Sequence, residues 1–153
     1  MTVRSRITRM GVSGTLAAVT AFAASGCGAS PITSGRIEGA IAPTFANQVH
    51  VQLSRLGLPP MAVSDIKVTA SCRKLVAGSG AAGAGEWVCT LVWLGPSRQA
   101  LRDTFELFVA TDGCYTASVD AAEGHLGGPT LRTLDGSDVR NLLYRFEGCF
   151  DTT

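Results

Sequence analysis

The sequence predicts an α+β fold in which one N-terminal helix packs on a four-stranded antiparallel sheet, held by two disulfides. Residues 36–57 repeat apolar residues at helical spacing, whereas the chain after residue 60 alternates apolar and polar residues as strands do. Turn sequences divide that later part into four alternating stretches, followed by a C-terminal segment. Four cysteines are distributed over the strands and this segment: Cys72, Cys89, Cys114 and Cys149.

The helix is expected from about residue 43 to residue 56. Its apolar face follows steps of three and four through Ile37, Ile41, Phe45, Val49, Leu53 and Leu56. Pro43 disfavours a helix that runs through it, because proline lacks an amide hydrogen and its ring crowds the preceding turn. Proline suits the first helical turn, which places the start there. Gly57 is typical of the residue after a helix end.

The first two strands are expected in DIKVTASC (residues 65–72) and GEWVCTLVWLG (residues 85–95). If Cys72 lies opposite Cys89 in an antiparallel pair, the apolar faces of both strands coincide. This register makes three opposed pairs: Cys72 with Cys89, Ala70 with Leu91, and Val68 with Trp93. It favours a Cys72–Cys89 disulfide and leaves Cys114 to pair with Cys149. Four cysteines allow three pairings, and spacing alone does not choose among them.

The connection between these strands contains Gly78-Ser79-Gly80-Ala81-Ala82-Gly83, which matches the G-x-G-x-x-G pattern of dinucleotide-binding loops. That pattern must open a helix, but Glu86 here begins an aromatic, β-rich run. We therefore interpret the stretch as a hairpin loop closed by a disulfide, and we expect no nucleotide binding.

The third and fourth strands are expected at residues 101–110 and 114–119, joined by a three-residue Thr-Asp-Gly loop with Gly113 left-handed. This loop sets three apolar pairs opposite one another: Val109 with Tyr115, Leu107 with Ala117, and Phe105 with Val119. Phe108 falls on the other face, where it either packs under the C-terminal segment or forms an exposed contact point. Residues 120–137 are expected to form a loop, after which Cys149 pins the C-terminal segment to the sheet.

The first 26 residues have the features of a secretory signal. Arg4, Arg6 and Arg9 precede an uncharged apolar run of about 15 residues, shorter than the roughly 20 needed to span a bilayer. The run ends at Ala24-Ser25-Gly26-Cys27, which resembles the lipobox of bacterial lipoproteins. That resemblance implies cleavage before Cys27 and attachment of diacylglycerol to its sulfur. Residue 24 is Ala where the family more often has Leu, and the alternative is an ordinary signal peptide followed by an unrelated cysteine.

On this interpretation residues 27–35 are the lipidated cysteine and a tether, and residues 36–153 form a single domain. Loss of the three signal arginines leaves ten basic groups against twelve acids, a net charge of −2. There is no basic run, so we expect no nucleic-acid binding. A C-x2-C spacing is also missing and neither histidine is near a cysteine in sequence, so we expect no metal and no cofactor.

Catalytic motifs are scarce. The sequence contains neither G-x-S-x-G nor H-E-x-x-H. His50 and His125 are its two histidines, and a lone histidine is more often a surface or hydrogen-bonded residue than a catalyst. Asp135 and Asp138 resemble part of a calcium loop, but the remaining ligands are missing and a turn is the simpler interpretation. A hydrolase whose dispersed site uses His125 with one of these acids is the alternative that we retain.

The phrases GEWVCTLVW, DGCYTASV and NLLYRFEGCF, together with the lipobox, are similar to small lipoproteins of actinobacteria. The similarity covers most of residues 36–151. It implies a membrane anchor and a disulfide-stapled domain on the extracytoplasmic face, and it carries over no catalytic residue. The expected function is a non-catalytic binding or accessory module of the cell envelope. Its expected partner is an envelope protein or wall component, and Phe108 and His125 are the candidate contacts.

Overall fold

The computed structural model describes residues 31–75, 82–119 and 126–152. Within these ranges the chain forms helix α1 (Ser34–Arg55), a one-turn helix α2 (Val63–Ile66) and seven strands. The strands are β1 (Thr69–Lys74), β2 (Gly85–Leu94), β3 (Ala100–Val109), β4 (Cys114–Val119), β5 (Thr130–Arg132), β6 (Asp138–Arg140) and β7 (Arg145–Cys149). An antiparallel sheet has the order β1-β2-β3-β4-β7, and β5 with β6 forms a separate hairpin.

The α+β class and the packing of α1 on an antiparallel sheet are confirmed, but the predicted strand number is wrong. The sheet has five strands because the C-terminal segment, expected only to be pinned against it, pairs with β4 as β7. Phe146 lies opposite Ala117, and Cys149 lies opposite Cys114. The segment is short and its alternation is interrupted by Gly148, so its strand pattern is weak. Gly148 is required there because the Tyr115 hydroxyl occupies the space that a Cβ atom would need.

The predicted helix start is also wrong, because α1 begins at Ser34 and continues through Pro43. Pro43 and Gly39 are both exposed. The Gly39 carbonyl lacks its usual donor one turn later, because proline has no amide hydrogen. Water can solvate that carbonyl, so the proline is tolerated. The actual start is capped by Thr33, whose hydroxyl accepts a hydrogen bond from the Arg36 amide at 3.4 Å.

The described fold begins before residue 36, within the segment assigned from sequence to the tether. Ile32 is buried, and its carbonyl accepts a hydrogen bond from the Gly83 amide at 2.7 Å. Thr33 also forms an isolated β-bridge with Ala82. The start of α1 is therefore attached to the end of the sheet where β2 begins.

The predicted registers are confirmed with one exception. Cys72 lies opposite Cys89 and Ala70 opposite Leu91. The three apolar pairs predicted between β3 and β4 are all present: Val109 with Tyr115, Leu107 with Ala117, and Phe105 with Val119. Val68 does not pair with Trp93, because α2 and the left-handed Lys67 (φ 49°) delay the start of β1 to Thr69.

Both disulfides, Cys72–Cys89 and Cys114–Cys149, are present and join directly opposed residues of neighbouring strands. Their positions differ. Cys89 is completely buried on the face that packs against α1, whereas Cys149 is exposed on the other face. Each face of the sheet therefore carries one covalent staple.

The core lies between α1 and the sheet, with Phe45 at its centre. Its ring makes edge-on or tilted contacts with Trp93, Phe105 and Phe146, at centroid distances of 4.9, 5.5 and 5.9 Å. Those three residues come from β2, β3 and β7, so a single helical side chain joins three strands. Most of the predicted apolar face of α1 is buried: Ile37, Ile41, Phe45, Val49 and Leu53.

Polar side chains determine the path into β7. Gln52 of α1 is buried, and its Oε1 accepts a hydrogen bond from the Leu142 amide at 2.8 Å. The buried Asn141 donates to the carbonyls of Leu126 and Gly128. These hydrogen bonds satisfy backbone amide and carbonyl groups of an irregular segment. Without them, those groups would lack partners beneath α1. The described part of the predicted loop at 120–137 instead contains β5 and the start of the turn to β6.

Gly113 and Gly136 provide a matched test of the turn before β4. Both have positive φ (83° and 87°), but a Cβ atom on Gly113 would overlap the Phe150 carbonyl oxygen, whereas one on Gly136 would meet nothing within 4 Å. We expect Gly136→Ala to lower the free energy of unfolding by about 1–2 kcal/mol. Gly113→Ala should lower the free energy of unfolding by roughly 1–3 kcal/mol more than Gly136→Ala does, because the backbone at Phe150 has to move away from the new Cβ atom. Urea unfolding measures both, and equal losses would contradict the described approach of Phe150 to the turn.

Candidate functional site

The sheet has one face covered by α1 and one face that we call the outer face. On the outer face lie the side chains of β1–β4 and β7 that alternate with the core residues. Every outer-face residue of the described strands is exposed or half-buried, whereas the alternate positions of β2, β3 and β4 are mostly buried. Polar residues dominate this face, which is typical of an antiparallel sheet with one solvated side.

Phe108 is the most exposed large apolar residue on this mostly polar surface. It lies on the outer face of β3, and 62% of its surface is exposed. The registers place Glu86 of β2 on one side of it and Thr116 of β4 on the other. Of the two alternatives left open by the sequence, packing under the C-terminal segment is not what the structure shows, because the ring is exposed. Leaving this ring in water forgoes roughly 1–2 kcal/mol of burial free energy.

The residues around Phe108 form an aligned set across the sheet. Its own cross-strand row, which we call the Phe108 row, contains Leu75, Glu86, Phe108, Thr116 and Glu147. The neighbouring row contains Arg73, Val88, Glu106, Ser118 and Arg145. The charged residues closest to Phe108 in register are carboxylates, with Glu86 directly opposite and Glu106 two residues away on the same strand.

A groove of about 430 Å³ runs between these rows. Its lining combines apolar surface with two carboxylates and one guanidinium: Leu75, Glu86, Trp87, Glu106, Leu107, Phe108, Thr116, Ser118 and Arg145. Leu75 is itself 45% exposed, so apolar surface is present at both Phe108 and the β1 end. Such a site is suited to an apolar group that is accompanied by a positive charge.

The other predicted site residues that the structure describes do not line this groove. Cys27 and His125 lie outside the described residues, as do Gly78–Ala81 of the glycine-rich stretch. The stretch is followed by β2 and not by a helix, as predicted. His50 donates from Nδ1 to the Met61 carbonyl at 2.7 Å, so it tethers the segment after α1.

The two acids of the hydrolase alternative are both in the β5–β6 turn region. The Thr133 hydroxyl donates to the Asp135 carboxylate, as does the Ser137 amide at 3.0 Å. These hydrogen bonds, the one from Thr133 first, lower the pKa of Asp135. Asp138 lies 3.7 Å from the Arg132 guanidinium. The turn interpretation of Asp135 is confirmed, and the hydrolase hypothesis stays a prediction because His125 is not described.

In residues 31–75, 82–119 and 126–152, no three or more histidine, cysteine, aspartate or glutamate side chains cluster as a metal site would require. Over the same ranges, neither helix has the length and hydrophobicity needed to cross a bilayer.

The contribution of β7 to the site was not predicted from the sequence. Arg145 and Glu147 reach the outer face only because β7 joins the sheet beside β4. The available signal was the alternation of Arg145, Phe146 and Glu147, in which one apolar residue lies between two charges. Comparison of the chain with protein-family models, with curated proteins and with solved structures finds no match.

Proposed function

We propose that this chain is an extracytoplasmic lipoprotein, anchored through Cys27, that serves as a non-catalytic binding module of the cell envelope. In this proposal the outer face around Phe108 is the surface that contacts the partner. The observation that supports this choice of surface is the exposure of Phe108 at the centre of a cross-strand row. A large aromatic ring exposed on a mostly polar surface is typical of a protein interaction site.

The charges beside Phe108 indicate the chemistry of the partner. Glu86 and Glu106 are close enough in register to pair with a cation that lies on the Phe108 ring. An aromatic face attracts a cation through its quadrupole, and nearby carboxylates add Coulomb attraction. We therefore propose an envelope protein segment that presents a lysine or arginine next to an apolar side chain. Removing water from the ring would supply much of the binding free energy.

The anchor would hold this surface close to the membrane. Because Ile32 is already part of the fold, only residues 28–31 separate the predicted lipidation site from it. Five extended residue steps from Cys27 to Ile32 reach at most about 16–18 Å. Two acyl chains on Cys27 would hold a protein stably where a single chain binds only reversibly. The partner is then a component located at, or reaching to, the outer surface of the membrane.

Lipidation can be tested by metabolic labelling with an alkyne analogue of palmitate in the native host. The unaltered chain should be labelled and Cys27→Ala should not, because the analogue enters through the Cys27 thioether or the amine that cleavage frees. Ser25→Ala keeps a small residue in the lipobox and should remain labelled. A labelled Cys27→Ala protein, or an unlabelled wild type, would contradict the proposed anchor.

The contact surface can be tested by cross-linking in the native membranes, followed by identification of the linked peptides. Phe108→Ser and Glu86→Lys should each abolish the cross-linked complex, because one removes the ring and the other reverses its neighbouring charge. Leu134→Ser is the matched control, since Leu134 is 75% exposed on the β5–β6 hairpin and away from the sheet. It should leave the complex intact.

Two outcomes would overturn this assignment of the surface. One is a complex that survives Phe108→Ser and Glu86→Lys while each variant unfolds in urea like the wild type. The other is a set of cross-links that map to the β5–β6 hairpin or to α1. Cross-linked partner peptides without a basic residue would contradict the proposed partner chemistry.

A further inference from the structure

The two edges of the main sheet differ in how their backbone groups are used. At the β1 edge, the outward Cys72 amide donates to the Glu38 carboxylate of α1 at 2.7 Å, so a side chain occupies that position. At the β7 edge, Tyr144 and Phe150 direct their backbone groups inward, where they bond to Val119 and Gly113. Backbone groups alternate in direction along a strand, so those of Arg145, Glu147 and Cys149 point outward.

The outward side of β7 is open in the described part of the chain. Within that part, no hydrogen bond reaches the outward amides or carbonyls of Arg145 and Glu147. A depression of about 360 Å³ lies along this edge. It is lined by Gln48, Arg140, Leu142, Arg145, Phe146 and Glu147. An open edge strand is a template for another strand, and proteins usually cover it or use it.

We propose that β7 pairs antiparallel with β7 of a second copy of this chain, in the register centred on Phe146. Arg145 then lies opposite the partner subunit's Glu147, and Glu147 lies opposite the partner subunit's Arg145. Both members of each pair have outward backbone groups, so they form complete hydrogen-bonded pairs. Their side chains all lie on the outer face, where opposite charges directly across an antiparallel pair are favourable.

Charge selects this register over its two neighbours. Pairing centred on Glu147 places two carboxylates directly opposite each other, and pairing centred on Arg145 does the same with two guanidinium groups. A shift by a single residue in one strand opposes outward with inward groups and breaks the ladder. Centring on Phe146 is therefore the register that combines hydrogen bonding with opposite charges on both sides of the axis.

The proposed dimer has a definite architecture. Its two-fold axis is normal to the sheet, so the two five-stranded sheets become one ten-stranded sheet. Both α1 helices lie on one side, and both outer faces with their Phe108 rows lie on the other. Anchoring in one membrane would raise the effective concentration of the copies and favour pairing. Because the proposed pairing uses the β7 edge, it does not depend on whether the outer face binds a partner.

The test uses the full chain extracted from its own membranes in detergent, with the dimer measured by sedimentation over a concentration series. Arg145→Glu and Glu147→Arg should each raise the dimer dissociation constant by at least about fivefold, because each places like charges opposite each other twice. Combining Arg145→Glu with Glu147→Arg exchanges the two charges and should restore dissociation to near the wild-type value.

A second variant tests the backbone pairing. Glu147→Pro removes an outward amide that makes no hydrogen bond in the single copy, and proline is accepted on edge strands. It should leave urea unfolding of the monomer nearly unchanged and abolish the dimer. Arg73→Glu, on the outer face at the opposite edge of the sheet, is the charge control and should keep the dimer.

Three results would overturn the proposal. The first is a wild-type chain that is monomeric at every concentration. The second is a dimer that persists in Glu147→Pro at wild-type strength. The third is a variant with both Arg145→Glu and Glu147→Arg whose dimer dissociates as readily as the dimers of the two single variants. Because these readouts measure self-association alone, their failure is distinguishable from failure of partner binding through Phe108.

Discussion

The disulfide between Cys72 and Cys89 fixes which residues of β2 face helix α1. It joins two directly opposed residues on the helix-facing side, so the register of β1 on β2 cannot slip while the bond is intact. A slip of one residue would turn the tryptophans of β2 toward water and its polar residues toward Phe45. In the chain-entropy description, the 17-residue separation of the two cysteines contributes about 3 kcal/mol. This bond therefore adds stability and also determines the composition of both faces.

The second disulfide has the corresponding effect on the other side of the molecule. Cys114–Cys149 holds β7 beside β4, and this places Arg145 and Glu147 on the outer face. From the core side, Phe45 of α1 packs on Phe146 and Gln52 binds the Leu142 amide. The last strand is thus held by a covalent bond on one face and by packing and a hydrogen bond on the other. The proposed binding groove and the proposed dimer edge both depend on this placement.

Much of the fold could be predicted because apolar alternation and opposed cysteines specify the same registers. The β1–β2 and β3–β4 pairings follow from that agreement, since a wrong register would separate the cysteines and expose the apolar face. The start of α1 could not be predicted in this way. The cost of Pro43 depends on whether the carbonyl that it leaves unpaired is solvated, and exposure at Gly39 is a property of the folded chain.

The candidate site was predictable only in part. Alternation placed Phe108 on the face opposite Phe105 and Leu107, but it did not show whether the C-terminal segment would cover the ring. That outcome depends on β7, whose five residues carry one buried aromatic and a glycine required by the Tyr115 hydroxyl. A strand this short has too little pattern to be recognised without its partner. The charges around Phe108 likewise come from several strands and become neighbours only through the registers.

The most direct test of this account is non-reducing peptide mapping of the protein extracted from its own membranes. The five cysteines have three proposed roles: an acylated N-terminal Cys27, a core disulfide and an outer-face disulfide. We expect one acylated peptide beginning at Cys27 and two cross-linked species, Cys72 with Cys89 and Cys114 with Cys149. Any other pairing among these four residues, or free thiols among them, would contradict the registers that create the outer face. An unmodified Cys27 peptide would contradict the location of the module at the membrane.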